Sequence, residues 1–403
     1  MNERPLGIGI VGTGQRCMHF FGPHIRAVPD KARLVALADR DETRLQSAVD
    51  DLGGDVRPYN SVESILRDPN VDALVITTPD FTHRDVFDMA LDAGKHVLCE
   101  KPMATTIEDA VHMTRRAKES DPTVQIGFML RYAPFMVRLK AIVDSGIIGD
   151  LVQVTAAEVV EYYHGAAFFR RWHRFRKHSG GLLVHKACHT LDVINWIVGS
   201  TPALVSAQGG TDTFVPKPEA ALRCRDCELT ETCLAAYDLD DRYHNYIYQT
   251  GIERADPTRY ASDLCAYNSE KDSVDNASIL AEYKSGVRLS FSFATTGRRH
   301  ERHFVLTGQR GAIHASQADG VIAVEPVGAE PETIVVLDEY RDEHGGGDTL
   351  LVDSFLRCVA MRERPVADVV AGLHSVALGV AATQSIDRSG DVVVLRPVLA
   401  QFD

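Results

Sequence analysis

The sequence predicts an α/β protein in two parts: a doubly wound parallel sheet, then an α+β region with a mostly antiparallel sheet. Short apolar strands alternate with helical stretches up to about residue 130, and this alternation is typical of a parallel sheet. Beyond Arg131 the strands lengthen and alternate apolar with polar residues, as antiparallel strands with one covered face do. We therefore expect two domains, 1–130 and 131–403.

Composition restricts the class of partner. The 403 residues carry a formal net charge of −13, which argues against nucleic acid or an anionic membrane as the main partner. No apolar run approaches the ~20 residues of a membrane-spanning helix. The first residues lack the apolar core of a signal peptide. We expect a cytoplasmic protein.

The first strand, Leu6–Val11, is followed by a glycine-rich turn. The turn consists of Gly12, Thr13, Gly14, Gln15, Arg16 and Cys17. It follows the dinucleotide-binding pattern G-x-G-x-x-G, with Cys17 in place of the third glycine. Gly12 permits the tight turn, and Gly14 lets the backbone approach a pyrophosphate at a helix N-terminus. The third position sets only helix–strand packing, so a small residue is tolerable there.

The second strand, Arg33–Ala38, ends at an acidic residue, Asp39. A carboxylate at this point binds both ribose hydroxyls of NAD and repels the 2′-phosphate of NADP. Arg40 beside it leaves NADP open as the cofactor. The alternative is a glycine-rich surface turn without a cofactor, which we disfavour because strand, turn and acidic residue coincide.

The next buried strand, Val71–Thr78, ends in small and hydroxyl-bearing residues. Ligands of parallel sheets bind at the carboxyl ends of the strands, so Thr78 and Pro79 are expected to line the nucleotide cleft. His83 follows closely. It contacts the cofactor, caps a helix or lies on the surface.

A further apolar run, His96–Cys99, is interpreted as a buried strand that Glu100, Lys101 and Pro102 terminate. By the same rule we expect Lys101 at the floor of the cleft, beside a carboxylate that helps to hold it. Glu100 and Lys101 are therefore assigned to the cofactor side of the site, and Lys101 also to the substrate.

A basic segment, 168–178, stands out in this acidic chain. It contains Arg170, Arg171, Trp172, His173, Arg174, Arg176 and Lys177. One interpretation is a solvated run of charge. We slightly favour a rim that holds a polyhydroxylated or acidic substrate, with Trp172 as a stacking surface.

The stretch 182–196 follows two glycines and predicts one helix. At 3.6 residues per turn, one face of it would carry His185, His189, Asp192 and Trp196. Two histidines and an aspartate on one stripe favour a site over a satisfied core. The spacing of the histidines also matches a helical zinc pair, but Lys186 stands where zinc proteases have glutamate. That option is weaker.

Four later strands, 203–209, 278–283, 288–294 and 303–308, should build the antiparallel sheet. The first two are separated by an irregular insert, about 211–275, which is too long for a plain loop. The insert contains Cys224, Cys227, Cys233 and Cys265. Thiolates at this spacing suit a tetrahedral structural zinc site, which would supply folding energy to a core-poor segment. An iron–sulfur cluster is a less favoured occupant, and unliganded thiols are the alternative.

Near the C-terminus, His344 precedes three glycines and Asp348, a candidate helix N-cap. His344 reaches the cleft from this loop or is simply exposed, and we include it in the substrate site. Helices are predicted over 348–362 and 368–388.

These motifs together resemble the Gfo/Idh/MocA oxidoreductases, which include glucose–fructose oxidoreductases and inositol dehydrogenases. The resemblance rests on Gly12-Thr13-Gly14, Asp39, Glu100-Lys101-Pro102 and the helix with His189 and Asp192, in this order. It implies a Rossmann domain, then a domain built on a large open antiparallel sheet through which homodimers or homotetramers form. It also implies NAD(P) as cofactor and a small-molecule carbohydrate as substrate.

Carried over by position, the resemblance makes Lys101 the residue that holds the substrate hydroxyl and His189 the general acid/base. Asp192 would orient His189 or contact the substrate, and Arg131 with the 168–178 segment would line the sugar site. Many relatives have an aspartate four residues before this histidine, where the present chain has His185. Either His185 takes a share of the acid/base work or the proton path differs.

Three functions compete. The leading hypothesis is an NAD(P)-dependent dehydrogenase of a sugar, cyclitol, sugar acid or glycoside. The second is a redox-assisted glycosidase or epimerase that keeps NAD bound and recycles it. The third is a non-catalytic NAD-bound sensor, and the joint presence of Lys101, His189 and Asp192 argues against it.

Overall fold

A computed structural model of the protein describes residues 4–238, 261–336 and 346–402. Its first sheet consists of β1 (Leu6–Val11), β2 (Ala32–Ala38), β3 (Arg57–Tyr59), β4 (Ala73–Ile76), β5 (His96–Cys99) and β6 (Val124–Ile126). All six strands are parallel, in the order β3-β2-β1-β4-β5-β6. The predicted doubly wound sheet is confirmed. Its strand order reverses between β1 and β4, which is where such sheets bind their ligands.

Side-chain caps begin three of the five described helices that accompany this sheet. The five helices are α1 (Gly22–Ala27), α2 (Glu42–Leu52), α3 (Val62–Leu66), α4 (His83–Asp92) and α5 (Ile107–Lys118). The side chains of Asp41, Ser61 and Thr106 accept hydrogen bonds from the first-turn N–H groups of α2, α3 and α5. The glycine-rich turn leads into α1 through a π-helical turn, Cys17–Phe21.

The second sheet has nine strands. They are β7 (Leu151–Glu161), β8 (Pro202–Gly210), β9 (Asn276–Tyr283), β10 (Arg288–Gly297), β11 (Glu301–Gly308), β12 (Gly311–Ser316), β13 (Val321–Pro326), β14 (Glu332–Val335) and β15 (Val393–Val394). Their order is β14-β13-β12-β11-β7-β10-β9-β8-β15. Only β7 and β10 pair in parallel, so the sheet is mostly antiparallel, as predicted.

The remaining described helices belong to the second half of the chain. They are α6 (Pro134–Asp144), α7 (Tyr162–Arg170), α8 (Arg176–Ser179), α9 (Leu182–His185), α10 (Cys188–Val198), α11 (Gly347–Met361), α12 (Val369–Asp387) and α13 (Arg396–Leu399). The prediction of one helix over 182–196 is wrong. The backbone N–H groups of Lys186 and Ala187 both donate to the carbonyl of Leu182, so the regular ladder is interrupted between α9 and α10.

Two late helices tie the halves together. Helix α11 buries Leu351, Val352 and Phe355 in the same apolar cluster as Ile8 and Leu98 of the first sheet. Helix α12 is long and apolar enough to cross a membrane, but 67% of it is buried, and it packs against α5, α10 and β8. It is therefore a core helix that joins the two sheets.

The described part of the insert, 211–238 and 261–275, has little regular structure, as expected. It contains a 3-10 turn, Cys224–Asp226, and a single bridge between Arg223 and Leu264. The buried carboxylate of Asp275 accepts hydrogen bonds from three consecutive backbone N–H groups, 212–214. Backbone-directed polar contacts of this kind fix a segment that has few apolar residues of its own.

Candidate active site

The residues assigned to the cofactor converge at one edge of the first sheet. Gly12 to Arg16 follow β1, Asp39 and Arg40 follow β2, Thr78 to His83 follow β4, and Glu100 and Lys101 follow β5. The structure therefore brings these strand ends together around the point where the strand order reverses.

The glycine-rich turn has the shape that a dinucleotide needs. Gly12 has φ +94°, and a Cβ there would lie 2.7 Å from the carbonyl oxygen of Thr77, so no other residue fits. A Cβ on Gly14 would meet nothing closer than 3.5 Å, which leaves its backbone open to a ligand. The Asp39 carboxylate accepts hydrogen bonds from the N–H (2.8 Å) and hydroxyl (2.9 Å) of Thr13. The turn and the acidic residue thus form one unit.

His83 braces the cleft from inside. It is fully buried, and its Nδ1 and Nε2 lie 2.8 and 2.9 Å from the carbonyl oxygens of Pro102 and Thr78. Both partners are acceptors, so both ring nitrogens donate only when the imidazole is protonated. The surface position considered for His83 is wrong, because its ring ties the end of β4 to the loop after β5.

Glu100 does not hold the ammonium of Lys101 as we expected. Its carboxylate accepts from Arg16 Nε at 2.5 Å and from the backbone N–H of Lys101 at 2.9 Å. Arg16 also donates to Asp348 at 2.6 Å; Asp348 is thus not the N-cap of α11, where Gly346 stands. Burial opposes the charge of Arg16, but Glu100 and Asp348 raise its pKa overall.

The ammonium of Lys101 instead meets the second half of the chain. Its Nζ donates to the backbone carbonyl of His185 at 3.2 Å, just before the break between α9 and α10. The ring of the same histidine has its Nδ1 2.6 Å from a carboxylate oxygen of Asp80. Asp80 was not among the site residues predicted from the sequence. Its position at a strand end, two residues after Thr78, could have indicated it.

Aromatic rings surround the His185 imidazole. The ring centroids of Phe168, Trp172 and His173 lie 5.6, 5.7 and 4.3 Å from that of His185. Trp172 is 4% exposed and stacks on His173 at 3.9 Å. It forms the wall behind His185 and does not stand on an open rim as we expected.

The basic segment is also not a solvated run of charge. Arg170 and Arg174 are almost fully buried. Their Nε atoms donate to the carbonyls of Leu264 and Glu270, at 3.2 and 2.8 Å. Hydrogen bonds to backbone carbonyls help guanidinium groups to be buried, and here they fasten the insert to the site.

Arg131 and Asp192 form a buried pair. Two hydrogen bonds of 2.8 Å join the guanidinium to the carboxylate, and Asp192 is fully buried. Burial raises the pKa of Asp192 to about 6, against the opposing charge of Arg131. The pair links the turn after β6 to α10, and its assignment to the substrate stays a prediction.

His189, the predicted general acid/base, is 2% exposed near the start of α10. Its neighbour Thr190 donates to buried Glu158 at 2.7 Å, and Glu158 also pairs with Arg302 at 3.1 Å. Burial raises the pKa of Glu158, but Arg302 and His300 lower it further than that, so the carboxylate stays charged. This network, which the sequence did not predict, anchors α10 to β7 and β11.

The structure does not support the predicted zinc site. Cys224, Cys227, Cys233 and Cys265 line one cavity of about 300 Å³, but all are free thiols. Within 4–238, 261–336 and 346–402, no group of three or more histidine, cysteine or acidic side chains could hold a metal ion. Burial raises the pKa of the Cys224 thiol. The iron–sulfur cluster, which would use the same four cysteines, is likewise not supported. His344 lies outside the described residues.

A parallel sheet with this turn and acidic residue, and a helix α9 that brings His185 to Lys101, are typical of a nucleotide-dependent oxidoreductase. Family models agree over most of the chain. Residues 6–128 match the NAD-binding Rossmann fold of an oxidoreductase family, and 140–394 match its C-terminal alpha/beta domain. The chain belongs to the Gfo/Idh/MocA family of NAD-binding oxidoreductases.

Curated relatives fall in the same class. YteT of Bacillus subtilis, whose name describes it as an oxidoreductase, is 29% identical over 356 residues, 81% of this chain and 82% of that protein. The scyllo-inositol 2-dehydrogenase (NAD(+)) of Bacillus subtilis is 29% identical over 212 residues, 51% of this chain. Inositol 2-dehydrogenase 1 of Saccharopolyspora erythraea is 32% identical over 197 residues, 48% of this chain. The chain spans little more than half the length of these two dehydrogenases, 58% and 54%.

Solved structures share the whole fold. An oxidoreductase domain protein from Kribbella flavida superposes with a TM-score of 0.76 at 20% identity, over 97% of this chain and 99% of that one. A levoglucosan dehydrogenase in complex with NADH and levoglucosan gives 0.77 at 16% identity, over the same shares of both chains. At such identities the likeness shows the fold alone.

The buried histidines predict an acid-sensitive fold. Burial lowers the pKa of His173 well below its usual value, whereas the unfolded chain takes up a proton near pH 6.5. The free energy of unfolding should therefore fall as the pH drops below that value. In His173→Phe, the slope of the free energy of unfolding against pH should be smaller by up to about 1.4 kcal/mol per pH unit.

Denaturant unfolding between about pH 5 and pH 7 measures this slope. Phenylalanine keeps the stacked ring, and His173 Nδ1 has no hydrogen-bond partner in the described part of the chain, so none is lost there. His303→Phe, at a half-exposed position, is the matched control. An unchanged slope in His173→Phe contradicts the prediction.

Proposed function

We propose that the protein transfers a hydride between NAD and a hydroxyl-bearing carbon of a small carbohydrate: a sugar, cyclitol, sugar acid or glycoside. One observation carries the proposal: Lys101, Asp80 and His185 meet beside the glycine-rich turn, at the reversal point of the sheet. The inositol and levoglucosan dehydrogenases among the similar proteins support this substrate class. A cytoplasmic location is part of the proposal.

The residues at the strand ends fit NAD. The open backbone at Gly14 suits a pyrophosphate, and Asp39 has acceptor capacity left for ribose hydroxyls. Bound NAD supplies the hydride acceptor for a substrate carbon.

This chain's own residues handle the proton. The Lys101 ammonium donates to the substrate oxygen and stabilises the negative charge that develops there. A histidine of the 185–189 segment accepts the hydroxyl proton, and the family resemblance assigns this to His189. Phe168 and Trp172 exclude water from this side of the site.

Lys101→Met should lower kcat for carbohydrate oxidation about 100-fold or more, because it removes the charge that stabilises the developing alkoxide. NAD affinity, measured by calorimetry, should change little. A panel of sugars, cyclitols and glycosides with NADH absorbance as readout tests this. Lys118→Met, at an exposed position on α5, is the control.

The same panel separates the candidate functions. A Lys101→Met enzyme with the wild-type rate refutes the role of the lysine. Product formed by the wild type without net NADH supports a recycled cofactor. NAD and sugar binding with no turnover refutes the enzyme and supports a sensor.

NAD is proposed as the cofactor over NADP, because the Asp39 carboxylate repels a 2′-phosphate. Asp39→Asn keeps an acceptor for Thr13 but removes the charge. The ratio of kcat/KM for NADP to that for NAD should rise about tenfold or more. Asp50→Asn, exposed on α2, should leave the ratio unchanged, and an unchanged ratio in Asp39→Asn argues against this role.

We also propose that two or four copies associate through the outer face of the second sheet. A row of uncharged side chains crosses five neighbouring strands of that face. It consists of Ser206, Leu280, Ser290, Thr155 and Val305. In a chain with a net charge of −13, an uncharged exposed surface of this extent favours a partner of the same kind.

Leu280→Arg should convert the oligomer to monomer, because it places a charge within this uncharged row. Leu280 is 59% exposed, so the folded monomer should accept the substitution. Val327→Arg, 80% exposed in the turn after β13, is the control. Sedimentation equilibrium gives the mass, and a wild-type monomer or an unchanged Leu280→Arg oligomer contradicts the proposal.

A further inference from the structure

A carboxylate and an imidazole from opposite halves of the chain meet beside Lys101. Asp80 lies in the 3-10 turn after β4, and His185 ends α9. Asp80 Oδ2 and His185 Nδ1 are 2.6 Å apart. We propose that Asp80 is a positioning residue that holds His185 as the proton acceptor of the reaction. The inference rests on the proposed dehydrogenase function, and it assigns the acid/base role to His185 in place of His189, the residue that the family resemblance favours.

The contact selects one form of the imidazole. An ionised carboxylate only accepts, so the proton of a neutral His185 ring lies on Nδ1 and the lone pair on Nε2. Among the described residues, the hydrogen bond to Asp80 is the one that the His185 ring makes. Lys101 Nζ is bonded to the carbonyl of the same residue at 3.2 Å. His185 therefore provides both the imidazole and the backbone carbonyl that holds the Lys101 ammonium, which fixes the two groups relative to each other.

Both members of the pair are held rigidly. The rings of Phe168, Trp172 and His173 enclose the imidazole. On the other side, the backbone N–H and the hydroxyl of Thr82 both donate to the carbonyl of Pro79, at 2.9 and 2.7 Å. The turn that carries Asp80 therefore has little freedom, as a preorganised acid/base group requires.

Burial and neighbouring charges shift the pKa values of both groups in opposite directions. Burial raises the pKa of Asp80 to about 7, against the opposing charges of His83 and Lys101. Burial and the charge of Lys101 lower the pKa of His185 well below its usual value. Because the two groups are in hydrogen-bond contact, they titrate as a coupled pair. The ionisable groups that face it are His83, Glu100 and Lys101 from the first half and His164, Arg171, His173 and Lys186 from the second.

The step is balanced in protons and electrons. When the hydroxyl carbon is oxidised, its C–H electron pair leaves with the hydrogen as hydride to an oxidised nicotinamide. The O–H bond breaks, and its proton goes to His185 Nε2 as the carbonyl forms. The Asp80 carboxylate then stabilises the positive charge of the imidazolium. In the reverse reaction, when the carbonyl is reduced, His185 Nε2 returns the same proton to the oxygen.

Asp80→Asn tests this role, because it keeps the shape but removes the charge. We expect kcat to fall about 100-fold, with KM and NAD affinity within about twofold. The acid limb of the kcat profile should move to lower pH, since His185 loses its neighbouring negative charge. Asp80→Glu should recover part of kcat. Asp85→Asn, exposed on helix α4, which follows the turn that carries Asp80, should behave as the wild type.

The double variant Asp80→Asn/His185→Asn should be no slower than His185→Asn alone, because the two residues act as a unit. If Asp80→Asn lowers the rate equally at every pH and leaves the acid limb in place, Asp80 is merely structural and the inference is overturned.

A second readout does not depend on turnover. In 15N-histidine-labelled protein at about pH 8, His185 should carry its proton on Nδ1, and His185→Asn assigns the signal. Asp80→Asn should lose this preference. A proton on Nε2 in the wild type overturns the inference whatever the activity. If the wild type turns over no carbohydrate but keeps the proton on Nδ1, the proposed function is refuted. The positioning of His185 by Asp80 is then still supported.

Discussion

The cleft depends on one largely buried charged side chain, that of Arg16. Arg16 leaves the glycine-rich turn and joins Glu100 at the end of β5 to Asp348 at the start of α11. A guanidinium taken out of water is tolerated only when its partners are in place, and loss of either carboxylate would leave a buried charge uncompensated. The same Glu100 accepts the backbone N–H of Lys101. One ion cluster therefore fixes the glycine-rich turn, the backbone of Lys101 and helix α11.

Much of the fold follows from local sequence. The strands β1 and β5 begin and end where the apolar runs do, and α12 matches its predicted span to within a residue at each end. The break between α9 and α10 did not follow, because Leu182 to Trp196 has helical periodicity throughout. A tertiary contact lies at the break, since the side chain of Lys101 donates to the carbonyl of His185. The packing of α11 on the first sheet is likewise a long-range contact that no local pattern encodes.

The site shows the same division. Strand-end position was enough to place Lys101 beside the glycine-rich turn, because all parallel strands open at one edge. The run of basic residues in the 168–178 segment did not reveal which of them are buried. Arg170 and Arg174 donate to backbone carbonyls that only the folded insert presents. The cysteine spacing did not predict how the thiols are arranged in the folded insert. Four thiols can reach one cavity without approaching each other as metal ligands must.

The contact between His185 and Asp80 accounts for a histidine at position 185. Many relatives are expected to have a carboxylate here, and a neutral imidazole in its place would remove a negative charge from beside Lys101. Asp80 restores that charge from the loop after β4, at 2.6 Å from the ring. The carboxylate now belongs to the sheet that carries the nucleotide turn, whereas the imidazole belongs to the half that carries α9. A shift of one half against the other would lengthen this hydrogen bond and the one from Lys101 together, so the site is complete only when the two halves are closed.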